Sequence, residues 1–127
     1  AEQVRAWFGG RAALGVGVAC GPASGHLAVG DFETWAAYVE WLRSLPPLVR
    51  RAADRCPLAR TGGGGARLYV RLPESVARLV FGRRVVGGKV LTKIEVRGEG
   101  QQVLAPGCPA SCHKSGRPYE WLRPLWA

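Results

Sequence analysis

An α+β domain is predicted, built on a sheet that helices cover on one side and that offers its other side to a ligand. Two observations carry the prediction. Residues 67–72 and 90–97 each alternate between an apolar face and a charged face, as half-exposed strands do. Other segments place apolar residues at helical spacing, notably Trp35, Tyr38, Val39, Leu42 and Leu45. A length of 127 residues suits one domain, and an apolar share of 47% suits a globular core.

The first helix is expected over residues 2–8, with Val4, Trp7 and Phe8 on it and Gly9-Gly10 ending it. Residues 14–20 form a small, apolar run that reads as a buried strand. A turn through Gly21-Pro22 and Ser24-Gly25 leads to a second strand over residues 26–31. Thr34 can cap the helix that follows, whose aromatic residues read as core. Pro46-Pro47 breaks it. A second helix is expected to run through Leu48, Val49, Ala52 and Ala53, with Arg50, Arg51 and Arg55 outward. The strand at 67–72 turns Leu68, Val70 and Leu72 one way and Arg67, Tyr69 and Arg71 the other. Pro73-Glu74-Ser75 is expected to start a helix through Val76, Leu79, Val80 and Phe81, stopped by Gly82. A Gly87-Gly88 turn precedes the strand at 90–97, which turns Lys93, Glu95 and Arg97 away from Val90, Thr92, Ile94 and Val96. Short strands are expected at 101–105 and 119–121.

Asp31 and Glu33 stand two apart at a strand end, so they share one face. Like charges side by side repel, and a hard divalent cation between them would reverse the sign. An acidic strand end favouring the next helix dipole is the plainer alternative. Glu95 is a third acid that can join them, with a cross-strand salt bridge as its competing role. The run Gly62-Gly63-Gly64-Gly65 leaves backbone amides open to an anion, or else forms a flexible surface hairpin; no Walker sequence follows it. His113, beside Lys114 and Arg117, can reach a phosphate.

Lys and Arg number 18 against 9 acids, for a net charge of +9, which favours nucleic acid or nucleotides as partners. Contact between so basic a surface and a nucleic-acid backbone weakens steeply with salt. No run approaches the roughly 20 apolar residues of a membrane span, so no membrane partner is expected. No signal-peptide layout is present, so a cytoplasmic location with reduced cysteines is expected. Cys108, Cys112 and His113 are spaced closely enough to suggest zinc, with Cys56 the available fourth ligand. No Ser-His-Asp or Cys-His pairing supports nucleophilic catalysis. The absence of Met suggests a domain excised from a longer protein.

Several motifs occur in a specific order. Leu14-Gly15-Val16-Gly17 leads through Gly21-Pro22-Ala23-Ser24-Gly25 to Asp31-Phe32-Glu33. Arg60-Thr61 and the glycines lead into Leu68-Tyr69-Val70, and Glu95-Val96-Arg97-Gly98-Glu99-Gly100 precedes Val103-Leu104-Ala105-Pro106. His113-Lys114-Ser115-Gly116-Arg117-Pro118-Tyr119-Glu120-Trp121 closes the series. The set resembles the bifunctional DNA primase/polymerase (prim-pol) domain of the archaeo-eukaryotic primase superfamily, over about residues 7–122.

The resemblance implies an open-faced, RRM-like mixed sheet with helices packed on one side. It implies a single catalytic domain over residues 1–127, from a replication protein of a plasmid, phage or integrated element. The implied activity is that of a DNA primase/DNA polymerase, a template-directed nucleotidyltransferase acting on (d)NTPs. Asp31, Glu33 and Glu95 would be catalytic and would hold Mg²⁺ or Mn²⁺. Gly64, Gly65, Arg67, Arg97 and His113 would bind the nucleotide. The implied partners are a DNA template and primer, and a helicase or helical domain of the same protein. Arg67 stands where the family has a histidine, and Glu95 where an aspartate is usual. Arginine grips phosphate but cannot donate a proton as histidine can. A weakened fold that only binds nucleic acid or nucleotide is the first alternative, and a zinc-stabilised interaction domain the second.

Overall fold

The computed structural model describes residues 1–9 and 15–124; Gly10 and Leu14, assigned above to a helix stop and a strand start, lie outside the described residues. In chain order the elements are α1 (Glu2–Phe8), β1 (Gly17–Ala19), β2 (Leu27–Phe32), α2 (Trp35–Ser44), α3 (Pro47–Ala53) and β3 (Leu58–Arg60). They continue with β4 (Ala66–Arg71), β5 (Leu79–Val86), β6 (Lys89–Arg97), β7 (Gln102–Leu104) and β8 (Glu120–Arg123). Six strands pair in the order β5-β6-β2-β4-β3-β8, and β1 pairs with β7 in a separate ribbon. The fold is α+β, and the mixed sheet of the sequence reading is antiparallel at every pairing among the described residues.

Alternation along the strands separates two cores. Phe32, Leu58, Ala66 and Leu68 face the helices and pack with Tyr38 of α2 and Ala53 of α3, inside a ring that includes Trp35, Val39 and Trp41. Phe32 meets Tyr38 edge-on, with ring centroids 5.3 Å apart, which suits the quadrupoles of both rings. Thr34 caps α2 as expected: its Oγ1 accepts the Ala37 amide at 3.1 Å. On the opposite face Val29, Ala59 and Tyr69 pack with Cys20 and Val103, so the β1–β7 ribbon lies across the middle of the sheet. The side expected to be open is therefore open only beyond this ribbon.

Three expectations change. The helix expected from Pro73 to Phe81 does not form: residues 73–78 are irregular and 79–86 are strand. Val76, Leu79 and Val80 fit helical spacing, but this apolar run is short enough to fit either period. Gly87 and Gly88, at φ 57° and 76°, close a two-residue turn of the kind that matches strand twist. The turn registers Val86 on Lys89 and, seven residues back, Leu79 on Val96. The second correction concerns the run at 14–20. Its described part forms only a three-residue ribbon strand, Gly17 and Ala19 are exposed, and Cys20 is the buried residue. Glycines at 15 and 17 supply no side chain to bury. The third concerns α3, where Leu48 is 79% exposed and only Ala53 reaches the core. A helix of seven residues leaving the Pro46-Pro47 bend presents just its last turn to the sheet.

Tyr69 is buried with its hydroxyl lacking a hydrogen-bond partner, and burial pushes its pKa up to about 12, with nearby Arg67 drawing it back. The unfolded chain then loses this proton near pH 10, before the folded one does. Stability is expected to fall as pH rises from about 10 to 12. In Tyr69→Phe that slope should shrink, with little change in stability at pH 7, since no bond is lost. Denaturant titrations of both chains across this range check it.

Candidate functional site

Strand β2 runs between β4 and β6, and its register sets Asp31 opposite Arg67 on one side and Glu95 on the other. All three side chains lie on the ribbon side of the sheet, because each alternates with residues of the helix-side core. Directly opposed antiparallel residues have Cα atoms about 4.5–5.5 Å apart, so the carboxylates of Asp31 and Glu95 would repel without a cation nearby. Arginines supply it. Arg97 Nε donates to Asp31 Oδ2 at 3.1 Å, and its Nη2 lies 3.6 Å from Glu95 Oε2. Arg67 Nη2 donates to Asp31 Oδ2 at 3.4 Å and its Nη1 to the Leu104 carbonyl at 3.1 Å. Arg78 Nε donates to Glu95 Oε1 at 2.6 Å, and Gln101 Nε2 reaches the same oxygen at 3.5 Å.

Arg67 is the buried charge of the site, 8% exposed. Its guanidinium carbon lies 5.1 Å from the centroid of the Tyr119 ring, a cation–π contact. Its Nε is 3.4 Å from Asp31 Oδ1, within ion-pair reach, yet it makes no hydrogen bond. Such a donor is costly to leave unused in a buried setting.

The glycine run bends between β3 and β4, but its amides are not where the sequence reading put them. Gly64 N donates to the Thr61 carbonyl at 3.0 Å and Gly65 N to Thr61 Oγ1 at 2.9 Å. Both are used inside the turn, so neither cradles an anion. The glycines serve close approach instead. A Cβ on Gly62 would meet the Arg117 carbonyl oxygen at 2.6 Å and His113 Cβ at 2.8 Å. One on Gly65 would fall on the Phe32 carbonyl oxygen.

The loop at 113–117 is thereby drawn against the glycines. Ser115 Oγ donates to the Gly62 carbonyl at 2.6 Å, and the Ser115 amide donates to His113 Nδ1 at 3.0 Å. Between this loop and the end of β2 lies a cleft of about 460 Å³, the size of a small-ligand site. Asp31 and Glu33 line one wall, and Arg67, His113, Lys114, Ser115 and Arg117 line the others, with Thr61, Gly63 and Tyr119. Arg67, Lys114 and Arg117 give this side of the cleft a positive charge that suits an anionic ligand.

The structure thus brings Asp31, Glu95, Arg67 and Arg97 together, and Glu33 and His113 line the same cleft as Asp31 and Arg67. Glu95 does not line the cleft; it sits on the far side of Asp31 with Arg78 and Gln101. Among the described residues no three His, Cys, Asp or Glu side chains are grouped so as to hold a metal ion. Oxygen donors suit Mg²⁺ or Mn²⁺, but the Asp31 oxygens are turned to two guanidinium groups and Glu33 is exposed at the cleft. As they stand, these acids do not fit a resident divalent ion. The suggested zinc set is also divided. Cys56 Sγ donates to the Ala52 carbonyl on the helix side, whereas Cys108 Sγ accepts the Val16 amide at 3.0 Å near the ribbon.

Sequence reasoning missed Tyr119 as the platform under Arg67, Ser115 as the tie between loops, and Arg78 as the partner of Glu95. Tyr119 and Ser115 lie within the quoted closing motif, and that was their only signal. Among the described residues no helix is long and apolar enough to cross a membrane. A comparison with curated proteins finds no match. The family model described as bifunctional DNA primase/polymerase, N-terminal, matches residues 1–126, and the chain belongs to that family.

Proposed function

We propose that this DNA primase/polymerase domain catalyses template-directed nucleotidyl transfer from (d)NTPs, within a replication protein of a plasmid, phage or integrated element. The observation that carries the reading is the set of cations on one cleft, where the buried Arg67 lies with Lys114 and Arg117 beside His113. A triphosphate supplies the negative charge that these side chains can face. Arg67 is pre-oriented by Tyr119 and Leu104, so little side-chain entropy is lost when phosphate arrives. His113 is held through Nδ1, which leaves Nε2 turned toward Gly63 and the cleft. In the reaction a strand's 3′-hydroxyl displaces pyrophosphate from the α-phosphorus, and the cationic wall offsets charge on the departing group. Asp31 steadies Arg67 and Arg97. The DNA template and primer are the expected partners, with a helicase or helical domain of the same protein.

A second reading is favoured by the arginine-bound acids: a prim-pol fold that binds nucleotide or nucleic acid without turnover. Primer extension with labelled dNTPs, in Mn²⁺ and in Mg²⁺, separates the two. Extension by the parent chain, lost in an Asp31→Ala/Glu33→Ala variant, is the expected result. DNA binding with no extension in either metal would sink the first reading and leave the second.

A further inference from the structure

Cys108 and Cys112 flank a single 3-10 turn, Ala110–Cys112, which the chain enters through Pro109. Both thiols are free, as are those of Cys20 and Cys56. The Cys112 amide donates to the Pro109 carbonyl at 3.0 Å, which folds the chain back on itself. Both sulfurs then crowd Gly15. A Cβ there would lie 2.8 Å from Cys112 Sγ and 3.7 Å from Cys108 Sγ, so one small volume touches the two thiols. Desolvation raises the Cys112 pKa, and the Cys108 thiol raises it further through its charge and a hydrogen bond. Among the described residues no third ligand joins them to make a metal set. The two differ in access. Cys108 is 5% exposed, and its Sγ accepts the Val16 amide at 3.0 Å and donates to the Val16 carbonyl at 3.4 Å. Cys112 is half-buried, and the next residue, His113, lines the cleft.

We propose that Cys108 and Cys112 form a redox-modified dithiol, which a small disulfide such as glutathione disulfide converts to an intramolecular disulfide beside the cleft. Cys112 is the sulfur that such a reagent can reach. Its thiolate, having given its proton to solvent, attacks one sulfur of the reagent, forming a mixed disulfide and releasing one glutathione thiolate. Cys108, deprotonated in turn, attacks Cys112 Sγ. The Cys108–Cys112 bond forms, the mixed disulfide breaks, and the second glutathione leaves as its thiolate. Both leaving thiolates take up the protons that the cysteines gave up. The cysteine pair thus loses two electrons, and glutathione disulfide is reduced to two thiols. The Val16 amide faces the charge that Cys108 carries as it attacks. Burial keeps Cys108 from meeting the reagent first, so ring closure outruns a second adduct. Nothing in this step depends on nucleotide transfer.

Incubation of the folded chain with glutathione disulfide, followed by alkylation, cleavage after Arg97 and Lys114 with trypsin, and mass spectrometry, tests this. The expected product is peptide 98–114 lighter by two hydrogens and closed to alkylation, with dithiothreitol restoring both thiols. In a glutathione redox buffer, pairing should be at least about tenfold more favourable in the folded chain than in concentrated urea, because the fold holds the thiols together. Cys108→Ser should leave a lasting glutathione adduct on Cys112. Cys108 in Cys112→Ser should react at least about tenfold more slowly than Cys112 does in Cys108→Ser. Circular dichroism melts establish that each variant folds, and the parent chain decides the matter alone if one does not. A lasting adduct on Cys112 of the parent overturns the proposal. So does pairing of Cys112 with Cys20 or Cys56, or equal pairing with and without urea.

Discussion

Asp31→Ala is expected to lower the unfolding free energy by about 3 kcal/mol, more than any other single carboxylate change in the chain. The loss comes less from the bonds removed than from what remains. Arg67 is buried, and Asp31 is the only acid within its reach among the described ion pairs. Without it, a guanidinium that keeps its charge at any ordinary pH is left with a carbonyl and a ring face. Arg97 loses its closest acceptor in the same step, though it is more exposed and water can take over. Urea denaturation at pH 7 measures the difference. Adding Arg67→Met to Asp31→Ala should recover at least about half the loss, because it removes the stranded charge. A loss under about 1 kcal/mol would mean that Arg67 is solvated in the folded chain, and that the row is a surface ion pair.

Gly65→Ala is expected to lose about 2–3 kcal/mol and to weaken any ligand of the cleft. Gly65 is buried, and a Cβ there would fall on the Phe32 carbonyl oxygen and lie 2.8 Å from that of Glu33. Both atoms are backbone, so no rotamer change relieves the clash. The turn must lift away from the end of β2, taking Thr61 and Gly63, which line the cleft, with it. Gly64→Ala provides the contrast. Gly64 has φ 85° but nothing within 4 Å of a Cβ, so it carries conformational strain alone, about 1 kcal/mol. Thermal melts of the two variants should therefore rank Gly65→Ala as the more damaging. The reverse order would mean that the turn is not packed on β2.

Much of the fold was legible because its signals are local. The Thr34 cap, the helical face of Trp35 and Tyr38, and the alternation in β4 and β6 each depend on residues close in sequence. The helix expected from Pro73 to Phe81 fails for the same reason. Its first apolar residues satisfy helical spacing, and what makes β5 a strand is pairing with β6 through Gly87 and Gly88. For Glu95 the salt-bridge alternative describes its actual contacts, with Arg78 and Arg97. The glycine run allows an amide cradle or a surface hairpin, and composition does not reveal that Thr61 takes the Gly64 and Gly65 amides first.

The sequence by itself determined the family, the α+β class and the faces of Arg67, Arg71, Lys93, Glu95 and Arg97, since a period of two leaves a strand no choice once its core side is known. Which charges meet was decided only in three dimensions. The register of β2 against β4 and β6 is a long-range pairing with no local mark, and it alone puts Asp31 between Arg67 and Glu95, with the Arg97 guanidinium laid across the acids.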